Sequence, residues 1–254
     1  MTDQQLVIEN FQEKIEIFTR AVKGKYIEKQ DFVLANTKIP TDTFNILLSK
    51  TKHIENMDSI RKNIEKMRDE KYPLSAWINH QYLSDDWQLL MKEYHLHEAE
   101  RNALMKRKNT MDINMENMHK LAITQVTSRE DFHAYKKIFL SLFEGTLEKL
   151  ALETYFERYE QVNNHEKCQM FIGQVDGVVV STGLLINTTH SYGIYDVMTR
   201  EDARGKGYGS EMFQYLLTQT KDKQKPIVLQ ASDDGKNIYK RFGFEEVGEI
   251  IVFE

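Results

Sequence analysis

A glycine-rich segment in the C-terminal part of the chain constrains the fold more than any other sequence feature. Its residues are Arg204, Gly205, Lys206, Gly207, Tyr208 and Gly209. It follows a predicted strand, residues 192–199, and precedes a predicted helix with apolar residues at Met212, Phe213, Leu216 and Leu217. Glycine permits φ > 0 and a close backbone approach to a ligand, and the first N–H groups of a helix have no helical acceptor. Such a loop can bind an anionic group, for example a diphosphate.

Spacing alone leaves two interpretations of this loop, an anion site and an ordinary tight connection. The loop is not a P-loop because no Gly-Lys-Ser/Thr ends it, and it lacks the G-x-G-x-x-G of dinucleotide-binding proteins. A second pattern further along the chain favours the anion site. It places Tyr239 on a short predicted helix that a glycine ends, and its residues are Leu229, Ala231, Ser232, Gly235, Tyr239, Gly243 and Phe244.

The surrounding sequence predicts alternating strands and helices. Before the loop we expect a strand at 121–126, a helix capped by Ser128, a helix near 147–159, and a hairpin of strands 169–175 and 178–186. After the loop's helix we expect a strand at 226–231, a short helix at 235–242, and a strand pair at 244–253 around Gly248. The predicted order is β-α-α-β-β-β-α-β-α-β-β.

Together these patterns resemble the GNAT superfamily of N-acetyltransferases over residues 118–254. The family signature R/Q-x-x-G-x-G/A matches residues 204–209, and L-x-A-S-x-x-G-x-x-x-Y-x-x-x-G-F matches residues 229–244. The resemblance implies an α/β (α+β) protein with the GNAT acyl-CoA N-acyltransferase fold and a mixed, mostly antiparallel central sheet. It also implies acetyl-CoA as co-substrate and direct transfer of the acetyl group to a primary amine of a small molecule or peptide.

The resemblance further implies which residues surround acetyl-CoA. The strand before the loop would be splayed from its neighbour and would pair with the pantetheine arm, while the loop amides would hold the pyrophosphate. Ser232 stands where the family often has asparagine, and Asn237 would lie near the thioester. The implied residues are Val197, Met198, Thr199, Arg204, Gly205, Lys206, Gly207, Tyr208, Gly209, Ser210, Ser232 and Asn237.

Tyr239 and Asp196 are the predicted catalytic residues. A phenol with a pKa near ~10 can protonate a leaving thiolate whose conjugate acid has a pKa near ~8.5. The other interpretation of Tyr239 is a packed core residue. Asp196 is the predicted base, directly or through water, with Tyr195 as the alternative, and strand alternation predicts that only one of the two faces the acceptor. A backbone N–H of Val197 or Met198 would stabilise the oxyanion.

Residues 1–117 predict a smaller α+β domain ahead of the GNAT-like residues 118–254. The strand led by Pro73 with Trp77, a helix around Trp87, and a strand ending near Met105 resemble a degenerate GNAT half of tandem-type members. The alternative is an unrelated α+β cap. In either case we expect this segment to shape the acceptor pocket, and we expect both tryptophans in the core.

Charge and composition exclude several classes of function. The chain has 34 basic and 39 acidic residues, a net charge of -5, so we expect no nucleic-acid partner. No apolar run reaches the ~20 residues that span a bilayer, and the polar start predicts no signal peptide. The single cysteine, Cys168, suits a reducing cytoplasm and a packed thiol.

The histidines lack metal-ligand spacing, so we predict no metal. We expect a monomer or homodimer. A non-catalytic CoA-binding regulatory or interaction module is the alternative function.

Overall fold

The alternating and amphipathic segments form one mixed sheet with helices on both faces in the computed structural model, which describes residues 1–110, 120–159 and 166–254. The strands are β1 Lys25–Glu28, β2 Phe32–Asn36, β3 Ile46–Ser49, β4 Ser75–Asn79, β5 Glu98–Arg107, β6 Ala122–Gln125, β7 Cys168–Val175, β8 Val178–Asn187, β9 Tyr192–Thr199, β10 Ile227–Ser232 and β11 Glu245–Phe253. The helices are α1 Asp3–Ala21, α2 Met57–Asp69, α3 Asp85–Glu93, α4 Arg129–Ser141, α5 Glu148–Arg158, α6 Tyr208–Gln219 and α7 Asp233–Lys240. Short 3₁₀ turns occur at His80–Tyr82 and Glu201–Ala203.

The sheet contains the same pairing pattern twice. Its order is β1-β2-β3-β4-β11-β5-β10-β9-β8-β7-β6. In the first half β1, β2 and β3 are antiparallel and β3 is parallel to β4. In the second half β7, β8 and β9 are antiparallel and β9 is parallel to β10. The predicted α/β fold with a mixed, mostly antiparallel sheet is confirmed.

The two halves exchange their last strands at the centre of the sheet. Strand β5, from the first half, pairs antiparallel with β10, and β11, from the second half, pairs antiparallel with β4. Strands β5 and β11 also pair with each other. The predicted boundary between residues 117 and 118 lies outside the described residues, and the sheet continues from one half into the other.

The elements predicted for the second half are present within a few residues of their expected positions. Ser128 and Asp131 form a capping box at the start of α4, and Asp176 and Gly177 turn the β7–β8 hairpin with φ values of 49° and 77°. The predicted strand pair at 244–253 is wrong, because β11 is one strand with a register shift between Glu246 and Gly248.

Gly248 serves a close approach rather than a turn. A Cβ at this position would lie 2.4 Å from the Gln4 side chain at the start of α1. Glycine signals in a strand do not distinguish a turn from such a contact.

Two layers of apolar residues cover opposite faces of the second half of the sheet. Helices α1, α4 and α5 pack on one face, against residues such as Leu184 and Ile186. Helix α6 packs on the other face, against Leu185 and Ile194. Because side chains alternate along a strand, each central strand contributes to both layers.

A third layer, formed by α2, α3 and the first strands, contains Trp87, which is fully buried as predicted. None of the helices in the described ranges is both long and apolar enough to cross a bilayer.

Candidate functional site

Strands β9 and β10 separate soon after they meet. Only two pairs of residues align between them, Tyr192 with Ile227 and Gly193 with Val228. Beyond these pairs β9 continues beside β8, and β10 continues beside β5. The splay that the family resemblance implies is therefore present, and main-chain groups of β9 border an opening in the sheet.

A bulge in β9 determines which side chains lie at this opening. Met198 pairs with Thr182 and Tyr195 pairs with Leu184, so Asp196 and Val197 together oppose a single residue of β8. Asp196 has a φ of 50°, in the left-handed region. Such a conformation reverses the expected alternation of side chains at one position.

The expected alternation, with Tyr195 and Asp196 on opposite faces of the sheet, is consequently wrong. The Tyr195 hydroxyl donates to Asn10 Oδ1 at 3.1 Å, and Asp196 Oδ1 accepts from Lys14 Nζ at 3.0 Å. Both partners belong to α1, so both residues of β9 point to the α1 face of the sheet.

The glycine-rich loop leads into α6 without a side-chain cap. Gly207 is the N-cap residue with a φ of 88°, and Gly205 has a φ of 77°. The N–H of Glu211 makes the first helical hydrogen bond, to the Gly207 carbonyl at 3.1 Å. The N–H groups of Tyr208, Gly209 and Ser210 are therefore without helical acceptors. They form the positive end of the α6 dipole.

Basic side chains stabilise this loop by donating hydrogen bonds to main-chain carbonyls. Arg204 Nε donates to the Thr199 carbonyl at 3.2 Å, which connects the loop to the end of β9. Lys206 Nζ donates to the Asp202 carbonyl at 3.4 Å, and Lys120 Nζ donates to the Lys206 carbonyl at 3.1 Å. These contacts hold cationic groups around the free amides and add to their attraction for an anion.

A cavity of about 320 Å³, the loop cavity, lies between β9, the loop, α6 and α7. Most of the predicted cofactor-binding residues line it: Val197, Thr199, Arg204, Gly205, Gly207, Tyr208, Gly209 and Ser210. Ala203, Phe213 and Ile238 line it as well and were not predicted; an apolar side chain facing a ligand has the same sequence pattern as a core residue.

Four predicted cofactor-binding residues are not among those that line the loop cavity. Met198 lies on the opposite face of the sheet, where it lines another cavity. The Lys206 side chain donates to the Asp202 carbonyl, and Ser232 and Asn237 are exposed at α7. Ser232 is the N-cap residue of that helix without a side-chain cap bond.

Tyr239 lines the loop cavity from α7. Its ring lies 4.9 Å from the Phe213 ring, between centroids, and 6.4 Å from that of Phe244. Burial raises the pKa of the Tyr239 phenol. The phenol therefore keeps its proton throughout the neutral range and is available as a proton donor.

A second cavity, the α1 cavity, lies on the opposite face of the sheet and has a volume of about 270 Å³. Its residues are Phe11, Lys14, Ile15, Phe18, Thr19, Thr43, Phe44, Ile46, Trp77, Phe139, Leu142, Phe143, Asp196, Met198 and Gln230. Trp77, which the sequence predicted in the core, forms part of this wall and is half-buried. Asp196 and Met198 line the α1 cavity, while Val197 and Thr199 line the loop cavity, so the splayed strand β9 borders both.

Two side chains donate hydrogen bonds to the Asp196 carboxylate, which lines the α1 cavity. Besides the Lys14 ion pair, its Oδ2 accepts from the Tyr135 hydroxyl at 3.0 Å. The side chains of Asp196 and Lys14 are 8% and 17% exposed. Burial, and secondly the Asp196 charge, raise the pKa of Tyr135 well above its ordinary value, so this phenol remains a hydrogen-bond donor.

Cys168 does not have the character of a nucleophile. Burial, followed by the charge of Asp196, raises the pKa of its thiol to about 12. At neutral pH the thiolate fraction is negligible. Among residues 1–110, 120–159 and 166–254, no three His, Cys, Asp or Glu side chains are grouped as metal ligands would be.

The corresponding helix in the first half of the sheet is α2, and its start has a side-chain cap. Asn56 caps α2 by accepting from the Ser59 N–H at 2.9 Å, and Asp31 Oδ2 accepts from the Glu55 N–H at 2.8 Å. The connection 50–56 contains no glycine. The start of α2 thus has a side-chain cap on the Ser59 N–H, which the start of α6 lacks, so the two repeats differ where the loop cavity lies.

The family comparison concerns the C-terminal part of the chain. Residues 142–254 match a family model described as an acetyltransferase (GNAT) domain. No curated protein matches the sequence.

Solved structures resemble both halves. A GCN5-related N-acetyltransferase from Kribbella flavida shares 14% identity over 95% of this chain and 94% of that chain, with a TM-score of 0.67. A functionally unknown conserved protein from Staphylococcus epidermidis shares 16% identity over 91% and 94%, with a TM-score of 0.64. A tandem GNAT protein from the clavulanic acid biosynthesis pathway shares 9% identity over 87% and 77%, with a TM-score of 0.58. The TM-scores show a common fold with these proteins.

Proposed function

Because residues 142–254 belong to the GNAT acetyltransferase family, we propose that the protein transfers an acetyl group from acetyl-CoA to a primary amine. One observation carries the proposal: the splayed strand β9 borders the loop cavity with Val197 and Thr199 and the α1 cavity with Asp196 and Met198. Two substrates that enter from opposite faces of the sheet would meet at this strand.

The loop cavity is proposed to bind acetyl-CoA. The amides of Tyr208, Gly209 and Ser210 lack helical acceptors and suit the diphosphate. The β9 main chain beside the opening suits the amide groups of the pantetheine arm. The open space at Gly207, where a Cβ would meet only Lys120 Nζ at 3.7 Å within 4 Å, leaves room for phosphate oxygens.

The α1 cavity is proposed to bind the acceptor. Its walls come largely from the N-terminal half, which supports the proposal that this segment shapes the acceptor pocket. We propose that residues 1–117 and 118–254 are two domains, in the sense of two repeats that share one sheet. We also propose that the enzyme acts in the cytoplasm, where a single unpaired cysteine is stable.

The proposed reaction is a direct transfer. The neutral amine attacks the carbonyl carbon of the thioester, the C–N bond forms, and the C–S bond breaks. Asp196 takes the proton that converts the ammonium to an amine and passes it to solvent. Tyr239 protonates the leaving thiolate and regains a proton from solvent, which balances the one released as the amide forms. The Val197 or Met198 N–H would stabilise the oxyanion.

Calorimetry with CoA and acetyl-CoA, followed by thiol release with a panel of amines, tests this function. We expect binding of both and acceptor-dependent release of CoA. No binding at millimolar CoA would overturn the proposal. Binding without transfer to any amine would favour the non-catalytic CoA-binding module instead.

A further inference from the structure

The α1 cavity contains a partly buried pair of opposite charges within mostly apolar walls. Lys14 and Asp196 are 3.0 Å apart, and the Lys14 ammonium also lies 4.7 Å from the centre of the Tyr195 ring and 5.6 Å from that of Phe18. The walls are aromatic rings and aliphatic chains, among them Phe11 and Phe44. A ligand of this cavity must match an apolar space that includes one cation and one anion.

Two side chains at this cavity have hydrogen-bond donors without an acceptor among the described residues. An ammonium has three donors, and the one hydrogen bond that joins Lys14 to another described residue goes to Asp196. Gln230, on β10, lines the same cavity, and its Nε2 is buried without a partner among the described residues. A buried donor without an acceptor destabilises the protein, so a ligand that brings acceptor oxygens gains by pairing with it.

The balance of charge distinguishes two kinds of amine. A simple ammonium would place a second cation beside Lys14, and both would share the single carboxylate of Asp196. A zwitterion avoids this conflict, because its carboxylate pairs with Lys14 while its ammonium pairs with Asp196. The ligand's carboxylate then replaces Asp196 as the partner of Lys14. This leaves an oxygen of the Asp196 carboxylate to receive the proton of the amine.

We propose that the acceptor is a free amino acid with an aromatic or large aliphatic side chain. Its carboxylate is bound by Lys14 and the Gln230 amide, its ammonium by Asp196, and its side chain lies among Phe11, Phe44 and the other apolar walls. This inference rests on the proposed acetyl transfer and specifies its substrate. A volume of about 270 Å³ is small for a ligand site, which disfavours aminoglycosides. Polyamines are disfavoured by charge instead, because Asp196 is the single carboxylate among the lining residues.

Calorimetric titration in the presence of saturating CoA tests the inference without turnover. The ligands are L-phenylalanine, 2-phenylethylamine, which lacks the carboxylate, and 3-phenylpropionate, which lacks the amine. We expect phenylalanine to bind about tenfold or more tightly than either analogue, because each analogue loses one charge-assisted contact. The fluorescence of Trp77, in the cavity wall, should change with phenylalanine.

Two variants separate ligand recognition from folding. Lys14→Met should weaken phenylalanine binding by about tenfold to hundredfold and remove its advantage over 2-phenylethylamine. Lys92→Met, at an exposed site on α3, is the matched control and should change neither. Gln230→Met removes a donor without a partner, so it should leave thermal stability unchanged or raise it while still weakening phenylalanine binding.

The outcomes are distinct. Failure to bind CoA contradicts the proposed function itself. Normal CoA binding with equal affinity for phenylalanine and 2-phenylethylamine overturns the amino-acid proposal alone. Undiminished phenylalanine affinity in Gln230→Met and Lys14→Met would overturn it too.

Discussion

Lys14 on the first helix and Asp196 on the ninth strand form a 3.0 Å ion pair across 182 positions of sequence. The pair joins the N-terminal helix to the bulged residue of β9, and both residues line the α1 cavity. The N-terminal half therefore supplies a charged group to the proposed acceptor site, in addition to its walls.

Asp196→Asn should lower kcat by about 10²–10⁴-fold, because an amide cannot accept the amine's proton. Acetyl-CoA affinity should stay within about twofold, since the loop cavity does not contain this side chain. Steady-state kinetics and calorimetry measure the two quantities. Asp58→Asn, at a carboxylate that is 96% exposed, is the control and should match the wild type. Full turnover in Asp196→Asn would exclude the base assignment.

Tyr239→Phe should lower kcat by about 10²-fold with little change in acetyl-CoA affinity. The ring still packs on Phe213, so stability should change little. Tyr215→Phe, on α6, removes a hydroxyl from another half-buried tyrosine and serves as the control. An unchanged kcat in Tyr239→Phe would mean that another group protonates the thiolate.

The pH profile supplies a second test of Tyr239. Burial raises its pKa above that of free tyrosine, near ~10, so the active, protonated phenol persists beyond that pH. On the alkaline side the wild-type rate should fall at a pH above about 10, and the residual rate of Tyr239→Phe should lack this decline.

Gly207→Ala should weaken CoA binding beyond its effect on stability. A left-handed conformation costs an L-residue about 1–2 kcal/mol, and the new methyl group points into open space at the proposed phosphate site. Gly145→Ala is the matched control, because Gly145 has a φ of 78° and its Cβ would meet nothing within 4 Å. Thermal unfolding should show similar losses for both variants, whereas calorimetry should show reduced CoA affinity for Gly207→Ala only. Equal CoA affinity in both would place the diphosphate elsewhere.

Residues 120–254 alone should not fold cooperatively, although they contain the family match. Without β5, strands β10 and β11 lose the neighbour that lies between them. Co-expression with residues 1–110 should restore a folded complex and CoA binding. Circular dichroism and thermal melts of the separate and combined fragments check this, and a stable, CoA-binding 120–254 fragment would contradict it.

The local elements of the second half could be predicted from the sequence because their signals are local. The Ser128 cap, the Asp176-Gly177 turn and the apolar spacing of α6 each act within a few residues. The loop glycines are informative in the same way, since the left-handed φ values at Gly205 and Gly207 favour that residue type.

The parts that could not be predicted depend on long-range pairing. A strand ending near Met105 is expected from the sequence, but nothing in its exposed start at 98–101 or its later residues indicates that β5 lies between β10 and β11. From the sequence alone, Lys14 is expected to face solvent on an amphipathic helix. Its contact with Asp196 is known only once β9 is placed beside α1. The bulge at Asp196 has no sequence signal of its own, because aspartate at a positive φ is tolerated but not required.

The exchange of β5 and β11 has a consequence for biosynthesis. While the ribosome is still translating the second half, β4 already exists, but the strand that completes its hydrogen bonding, β11, is made long afterwards. An uncovered strand edge of this kind is a template for pairing with other nascent chains. The protein should therefore acquire its native sheet only late in translation, and chaperone depletion should reduce its yield more than point mutations on its surface do.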